Sequence, residues 1–387
     1  MVDHSVSQFS IIRRDKWLLS SLTWLPVILA VMIWAIFSQG IARDLPIGVV
    51  NLDSGKMSQQ LIRYYDATSA MKVDKQFVSA LEAKQALVEG DIYAYAVIPP
   101  NFEQDTYKQL APQVSVFYNS QMILVGKLIN SAFLQAQGTF NAQVSAVGNL
   151  SHGNATLSSA LGKAVPIRTQ ITPLFNKNSN YAQFLVSAVV PALWQIVVVV
   201  TTILVLSANL RDRGLNHWLG NNPARAIFQT LAPYSWVFAL QGFAFLCWFY
   251  LGFKWPMNGS FFVLLVAQWI TIIACMIMGS LFFFLTLDAA RAMSFAGAFT
   301  APSFAFMGIT FPVTDMNSLA QAWRSLLPIS HYIEVQVSQV SYGQAWIESL
   351  HHLLPMFGYL VPALLTIGLA KKHLNNHESK AVSEVTL

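Results

Sequence analysis

The sequence predicts a polytopic α-helical membrane protein with six transmembrane helices and an extracytoplasmic α/β domain inserted between helices 1 and 2. Of its 387 residues, 55% are hydrophobic and only 11% are charged, whereas soluble domains carry about 25% charged residues. The mean hydropathy is +0.48. Several separate runs are long and apolar enough to cross a bilayer, which takes about 20 residues. These observations exclude an ordinary soluble enzyme and a disordered chain.

The predicted spans share the absence of Asp, Glu, Lys, Arg and His. They cover residues 18–37, 182–206, 227–253, 260–287, 292–311 and 353–370. Basic residues precede the first run, as they do in a signal peptide, but this run is longer than the ~7–15 residues of a signal-peptide core. We therefore interpret it as an uncleaved span, with a cleaved leader as the alternative.

Basic residues beside the spans predict the orientation of the chain. They lie before the first run, after the second and after the last: Arg13, Arg14, Lys16, Arg211, Arg213, Arg225, Lys371 and Lys372. Because Lys and Arg concentrate on the cytoplasmic side of a membrane, both termini are predicted to be cytoplasmic. The α/β domain at residues 38–181 and the segment 312–352 are then outside.

Three further segments lie on the predicted cytoplasmic side. Residues 1–17 are predicted to form an amphipathic helix along the membrane surface, and residues 371–387 a tail. The loop 207–226 can form a short amphipathic helix that carries an exposed Trp218. Orientation alone explains the arginines of this loop but not its length or its tryptophan, so the loop is a candidate contact surface.

The insert 38–181 begins with alternating strands and helices. Predicted strands cover 46–53, 71–77, 93–98 and 113–118, and predicted helices cover 57–65, 79–89 and 102–110. Gly90 is expected to end the second of these helices. Residues 121–147 predict a long amphipathic helix, followed by a turn and a short helix at 151–161. The alternation indicates a mixed or parallel sheet.

The motifs of several enzyme classes are missing from the sequence. It contains no G-x-x-x-x-G-K-[ST] phosphate loop, no H-E-x-x-H and no G-x-S-x-G, so it does not bind ATP by the first route. Cys247 and Cys275 both fall in apolar runs, and no Cys/His cluster has zinc spacing. The basic residues form no clustered face for nucleic acid. We predict a chain that is not an enzyme and that binds no metal or cofactor itself.

The absence of charge from the spans also argues against an ion-coupled carrier, which keeps ionisable groups near mid-membrane. The spans contain amides instead, at Gln183, Gln195, Gln241 and Gln268. These side chains either line a substrate path or form hydrogen bonds between helices. If the chain transports a substrate, its energy is expected to come from another subunit.

Four sequence segments resemble one protein family. They are I-G-V-V-N-L-D-S-G-K-M-S (47–58), A-V-I-P-P-N-F-E (96–103), G-I-T-F-P-V-T-D-M-N-S-L (308–319) and L-L-P-I-S-H-Y-I (326–333). Together with the order of spans and insert, they resemble the permease subunit of type-2 ABC exporters, the multidrug-export-like class with a large periplasmic domain. The resemblance covers nearly the whole chain, and the last two segments are its most specific part.

The resemblance implies a function and a set of partners. Two permease subunits, identical or paralogous, would pair in the inner membrane and move an amphipathic, drug- or lipid-like substrate outward. A separate cytoplasmic ABC ATPase subunit would hold ATP and Mg²⁺, and a periplasmic adaptor is a further candidate partner. The segment 312–352 would form short helices that dip back into the outer leaflet.

The resemblance also assigns residues. The ATPase-coupling residues would be Arg211, Asp212, Arg213, Gly214, Trp218, Asp288 and Arg291, and the outer gate Phe311, Pro312 and Pro328. The family often carries acidic residues before Arg-Gly in the first cytoplasmic loop, whereas here only Asp212, Arg213 and Gly214 match. The position of the coupling helix therefore carries over, but not its salt contacts.

One alternative function comes from a different class. The chain could be a membrane-anchored receptor or scaffold whose external domain binds a surface partner without transport. An ABC ATPase partner and a docking surface on loop 207–226 distinguish the exporter from this alternative.

Overall fold

The structure, a computed structural model, describes residues 8–38, 40, 42–108, 110–151, 174–176 and 180–385. The chain divides into a helical unit, Met1–Gly40 with Pro173–Leu387, and an α/β unit, Ile41–Thr172. The predicted turn and short helix at 151–161 lie outside the described residues except for Ser151. Residues 1–7 of the predicted N-terminal helix lie outside them as well.

The chain begins with three helices of the helical unit. They are α1 (Gln8–Arg14), α2 (Lys16–Leu22) and α3 (Trp24–Phe37). Asp15 separates the first two, and its carboxylate accepts the backbone N–H groups of Trp17 and Leu18. This is the bonding of an N-cap residue, which satisfies N–H groups that the first helical turn leaves open.

The predicted first span, 18–37, is not one straight helix. α2 and α3 meet at Thr23 with a bend of 50°. Pro26 explains the bend, because it has no N–H to donate to the Leu22 carbonyl and its ring crowds that carbonyl. The two helices count as one candidate span only if the bent pair is taken together.

The α/β unit contains a four-stranded mixed sheet. Its strands are β1 (Leu45–Asn51), β2 (Met71–Phe77), β3 (Ala94–Ile98) and β4 (Ser115–Tyr118). The spatial order is β2-β1-β3-β4, with β1 parallel to β2 and β3, and β3 antiparallel to β4. The strands and helices follow the order that the sequence predicts, with ends that differ by a few residues.

Helices cover both faces of this sheet. They are α4 (Lys56–Asp66), α5 (Ala80–Glu89), α6 (Phe102–Tyr107) and α7 (Ile123–Ser151). One core joins β1 and β3 to α4 and α7, and a smaller core joins the other face to α5. Gly90 ends α5 with φ of 87°, a backbone conformation that glycine adopts without strain. The predicted helix stop is therefore confirmed.

The helical unit continues with ten further α-helices among the described residues. They are α8 (Tyr181–Arg213), α9 (Leu215–Leu219), α10 (Pro223–Cys247), α11 (Phe261–Thr286), α12 (Ala289–Thr300), α13 (Ser303–Phe306), α14 (Ser318–Ser325), α15 (Pro328–Val337), α16 (Trp346–His351) and α17 (Leu360–Val385). A π-helical turn, Trp248–Gly252, follows α10. The predicted loop 207–226 is thus mostly helical, since α8 runs on to Arg213.

Four segments of the described chain are long and apolar enough to cross a membrane, or five with the bent α2–α3 pair. The four are Tyr181–Arg213, Pro223–Gly252, Phe261–Thr286 and Trp346–Asn376. The helices packed around α8 and α11 bury most of the α8 segment and half of the α11 segment. The chain is therefore predominantly helical and multi-pass, but the structure does not supply six continuous spans.

The predicted span 292–311 is wrong as a continuous helix. α12 ends at Thr300, and only the short α13 follows after Ala301 and Pro302. Pro302 explains the break because it cannot donate the backbone hydrogen bond that would continue the helix. The 12 residues of α12 rise only about 18 Å, short of a hydrocarbon core of about 30 Å.

The predicted outer segment 312–352 and last span 353–370 are divided differently from the prediction. The outer segment contains α14, α15 and α16, and α15 is buried along almost its whole length. The last candidate span starts earlier, at Trp346, and includes a 3-10 turn at Leu354–Tyr359. α17 then continues through most of the predicted tail 371–387.

Candidate functional site

The N-terminal helix α1 is fastened to the end of α8 through side-chain amides. Gln8 Nε2 donates to Asn209 Oδ1 at 2.9 Å, and Asn209 Nδ2 donates to Gln8 Oε1 at 3.3 Å. The Tyr234 hydroxyl donates to the same Gln8 oxygen at 3.0 Å. Ile11, three residues further along α1, is fully buried. The predicted surface helix therefore packs on α8 and α10 through its apolar side.

Arg211 lies between two carboxylates at this end of α8. Its Nε is 3.1 Å from Asp212 Oδ1, and its Nη2 is 3.5 Å from Asp15 Oδ2. The Arg211 side chain is 59% exposed, so these ion pairs contribute little to stability. The second carboxylate comes from the N-cap of α2, which the loop sequence alone does not reveal.

Trp218 is buried, which corrects the prediction that it is exposed. Gly214 ends α8 with φ of 72° and starts the five-residue α9. Trp218 then turns inward: its Nε1 donates to Thr230 Oγ1 at 2.9 Å, and its ring stacks on Phe284 at 6.1 Å. The exposed residues of α9 are its neighbours Asn216 and His217. Trp218 thus joins α9 to α10 and α11.

The turn between α11 and α12 presents the other predicted coupling residues. The Asp288 carboxylate accepts the Arg291 backbone N–H at 2.8 Å and so caps α12. The Thr286 hydroxyl donates to the Asp288 carbonyl at 3.0 Å. Both Asp288 and Arg291 are exposed. Phe284, on which Trp218 stacks, lies one turn earlier in α11, so this turn and α9 are neighbours.

These elements form one surface, which we call the coupling face. We define it by the exposed residues Arg14, Arg211, His217, Asp288 and Arg291. The face carries charges of both signs on backbone that caps and ion pairs hold in place. Within the described residues no group of three His, Cys, Asp or Glu could hold a metal ion. The coupling face is therefore an exposed surface of mixed charge.

Gln195 joins three elements inside the helical unit. It is completely buried in α8. Its Nε2 donates to Ser303 Oγ at 3.1 Å, and its Oε1 accepts the Ile329 backbone N–H at 2.9 Å. Ile329 lies in the first turn of α15, where N–H groups have no partner within the helix. This amide therefore holds α13 and α15 against α8.

Gln241 satisfies the carbonyl that Pro26 leaves open. Its Nε2 donates to the Leu22 carbonyl at 2.8 Å, and its Oε1 accepts Trp194 Nε1 at 3.2 Å. A buried carbonyl without a partner would cost about 1–3 kcal/mol. Gln241 therefore stabilises the bend between α2 and α3.

The other two amides, Gln268 and Gln183, form different hydrogen bonds. Gln268 Nε2 donates to the Gly242 carbonyl at 3.1 Å and to the Tyr332 hydroxyl at 3.3 Å. Its buried Oε1 has no hydrogen-bond partner among the described residues. Gln183 is half-buried near the start of α8, where its backbone N–H is capped by Asn180.

The predicted outer-gate residues lie in two environments. Phe311 is 49% exposed and Pro312 is exposed, at the turn that leads to α14. Pro328 is buried at the first turn of α15, a position that proline favours.

A charged cluster in the segment 312–352 was not predicted from the sequence. Arg324 Nη2 lies 2.8 Å from Glu334 Oε1, with side chains only 9% and 30% exposed. Glu334 Oε2 is 3.9 Å from His331 Nδ1 and 3.7 Å from His352 Nδ1. Two features of the sequence could have indicated this cluster. His331 and Glu334 are three residues apart, on one face of a helix, and a lone arginine precedes the histidine by seven residues.

The fold and the site define a multi-pass helical membrane protein with an exposed, charged face at one end of its spans. Comparison with protein families agrees: residues 16–369 match the model of the ABC-2 family transporter proteins. The chain belongs to this family. It is a transport permease of the ABC type, and the family implies an ABC ATPase subunit as its partner. No curated protein and no solved structure matches the chain.

Proposed function

We propose that the chain is the permease subunit of an ATP-driven exporter that moves an amphipathic, drug- or lipid-like substrate out across the inner membrane. The partner ATPase subunit holds ATP and Mg²⁺, and this chain supplies the path through the membrane. The observation that carries the proposal is the coupling face on a chain of the ABC-2 family, because an ATPase subunit needs a fixed surface on which to act.

The contacts behind the coupling face support transmission of a movement into the spans. Trp218 connects α9 to Thr230 in α10 and to Phe284 in α11. The Asp288 turn continues directly from α11, and Gln8 connects α1 to α8 and α10. A push on α9 or on this turn therefore acts on packed helices, which transmit strain because their interiors are close-packed.

The basic residues at this end of the spans support the proposed orientation. Arg14, Arg211, Arg225, Arg291 and Lys371 are exposed here, and such residues favour the cytoplasmic side. Both termini are then cytoplasmic, and the α/β unit is extracytoplasmic and available to a periplasmic adaptor. A second permease subunit, identical or paralogous, completes the transporter.

The substrate path and outer gate remain part of this proposal. Two of the four amides are the better candidates for the path: Gln268, whose buried side-chain oxygen has no hydrogen-bond partner among the described residues, and the half-buried Gln183. In Gln195 and Gln241, both the side-chain nitrogen and the side-chain oxygen form hydrogen bonds. Phe311, Pro312 and Pro328 would form the outer gate beside the Arg324–Glu334 pair.

Co-purification from native membranes tests the ATPase partner. We expect an ABC ATPase subunit to accompany the wild-type chain and to be lost from Asp288→Arg and Arg291→Glu, since both reverse exposed charges on the coupling face. Lys16→Glu, an exposed charge reversal in α2, is the control and should retain the partner. Inverted membrane vesicles that retain the complex should accumulate a fluorescent amphipathic dye only when ATP is present.

The same experiment can contradict the proposal. A chain that retains an external protein partner, with no ATPase subunit in mild detergent and no ATP-dependent dye uptake, would favour the receptor or scaffold alternative.

A further inference from the structure

A groove that no step of the proposed export cycle uses lies between α10, α11 and α17. Its volume is about 480 Å³, within the range of sites for small organic ligands. Its walls are apolar and include Trp236 and Trp269, whose rings meet edge to face at 4.6 Å. Trp236 is 69% exposed, so the groove opens on the surface of the helical unit.

The hydroxyl groups in the groove are already engaged. Ser235, Ser280 and Thr366 line it, and each donates to a backbone carbonyl of its own helix at 2.7 Å. Their protons are therefore not offered to a ligand. Because a polar group buried without a partner costs free energy, the part of a ligand that enters the groove should be hydrocarbon.

The length of the groove fits one leaflet of a bilayer. Its lining on α10 runs from Ala224 to Trp236, which is roughly 18 Å at the rise of an α-helix. One half of a hydrocarbon core is about 15 Å deep. The groove starts in the first turn of α10, at the end of the spans that carries the coupling face, and ends near the middle of the helices.

Cations stand at the polar end of the groove. Arg225 is next to the lining residue Ala224, and Lys371 lies one helical turn beyond the lining residue Ile367. Both are exposed. The N-terminus of the 25-residue α10 adds positive potential at the same place. Hydrocarbon walls with positive charge at one end complement a lipid that has an anionic headgroup.

We propose that this groove binds an acyl chain of an anionic glycerophospholipid from the leaflet around the coupling face, with Arg225 and Lys371 at its phosphate. The site is separate from the coupling face and from the amides of the proposed substrate path. Binding requires neither the ATPase subunit nor export, so the proposal goes beyond the proposed function and can fail independently of it.

Quenching of tryptophan fluorescence by brominated lipid tests the site. The purified full chain is reconstituted in vesicles with increasing dibrominated phosphatidylglycerol or dibrominated phosphatidylcholine, which have the same chains. The signal of interest is the difference between wild type and Trp236→Phe/Trp269→Phe. We expect phosphatidylglycerol to quench this component at about tenfold lower lipid fraction, since each nearby cation favours an anionic headgroup.

Two pairs of variants identify the residues responsible. Arg225→Gln/Lys371→Gln should abolish the preference for phosphatidylglycerol, whereas Arg13→Gln/Lys16→Gln, which removes the same charge at exposed positions elsewhere at this end, should retain it. Ala363→Phe narrows the groove and should remove the quenching of the tryptophan pair. Ala35→Phe, on an exposed face of α3, should leave it unchanged.

Two results would overturn the proposal. Equal quenching by both lipids in the wild type would mean ordinary solvation of the helices by lipid. Absence of quenching of the tryptophan pair by either lipid would mean that another occupant, such as a second copy of the chain or the exported substrate, fills the groove.

Discussion

Two regions of the helical unit use the same kinds of charged residues in opposite ways. At the coupling face, Arg211 is mostly exposed and shares its charge between Asp15 and Asp212. In the segment 312–352, Arg324 is nearly buried and pairs with Glu334 beside two histidines. An exposed ion pair contributes little free energy, so it can rearrange at small cost when a partner binds. A buried pair holds its helices together only while both members are present.

The largest test of this contrast is removal of one charge from each region. Arg324→Ala leaves Glu334 partly buried without its cation, and we expect a loss of about 3–5 kcal/mol in the free energy of unfolding. Arg211→Ala should cost less than about 1 kcal/mol. Denaturant unfolding in detergent measures both. Equal losses in the two variants would contradict the contrast.

The second test concerns Trp218, which is buried behind the exposed residues of the coupling face. Trp218→Ala removes the ring from Phe284 and the donor from Thr230, so we expect a loss of about 3 kcal/mol in stability. Trp17→Ala, at a tryptophan that is 78% exposed, is the matched control and should stay near wild type. If Trp218→Ala lost the ATPase subunit but kept full stability, Trp218 would be a contact residue after all.

A smaller effect is expected where an amide supports a bent helix. Gln241→Leu leaves the Leu22 carbonyl and the Trp194 N–H without their partners, which should cost about 2 kcal/mol. Gln229→Leu, at an exposed position of the same helix, should change stability by less than about 0.5 kcal/mol. Because Gln241→Leu removes a hydrogen bond that supports the bend at Thr23, we expect faster proteolysis near residues 22–24 in this variant. Gln229→Leu should leave the rate unchanged.

The smallest expected loss of stability comes from removing one hydrogen bond in the α/β unit, away from both regions. In the α/β unit, Tyr65 is buried and its hydroxyl donates to Gln137 Oε1 at 2.7 Å. Tyr65→Phe should therefore cost about 1 kcal/mol.

Tyr65 also predicts a pH dependence. Burial raises the pKa of its hydroxyl well above the ordinary value. The unfolded chain then ionises first, so the stability that this tyrosine contributes is complete below about pH 10 and decreases as the pH rises further. Unfolding at pH 9 and 11 should show this decrease in the wild type, and a smaller one in Tyr65→Phe. An identical decrease in both would assign it to other groups.

Local patterns in the sequence were sufficient for much of the fold. Long apolar runs predict the helices that contain Gln195, Gln241 and Gln268, because a helix that crosses a bilayer needs about 20 predominantly apolar residues. The alternation of strands and helices in the α/β unit follows the same kind of local rule, and Gly90 ends its helix as predicted. The order of the described elements in that unit needed no tertiary information.

The ends and breaks of helices were harder to predict from the sequence. The break after Thr300 depends on whether neighbouring helices can compensate for the missing N–H of Pro302, since prolines also occur inside the continuous helices α8 and α10. An apolar run such as 292–311 reports only composition. Whether it stays one helix is decided by the packing around its proline.

By itself, the sequence determined the predominantly helical membrane class and the positions of the charged ends of the spans, because both follow from side-chain hydrophobicity along the chain. Only the tertiary structure decided which way Trp218 turns, since a five-residue helix is too short for its periodicity to define a buried face. Tertiary structure likewise decided that Gln241 satisfies a carbonyl 219 residues away and that Arg324 meets Glu334. These partners lie on different helices, and the cost of leaving a buried polar group unpaired, not its local sequence, selects them.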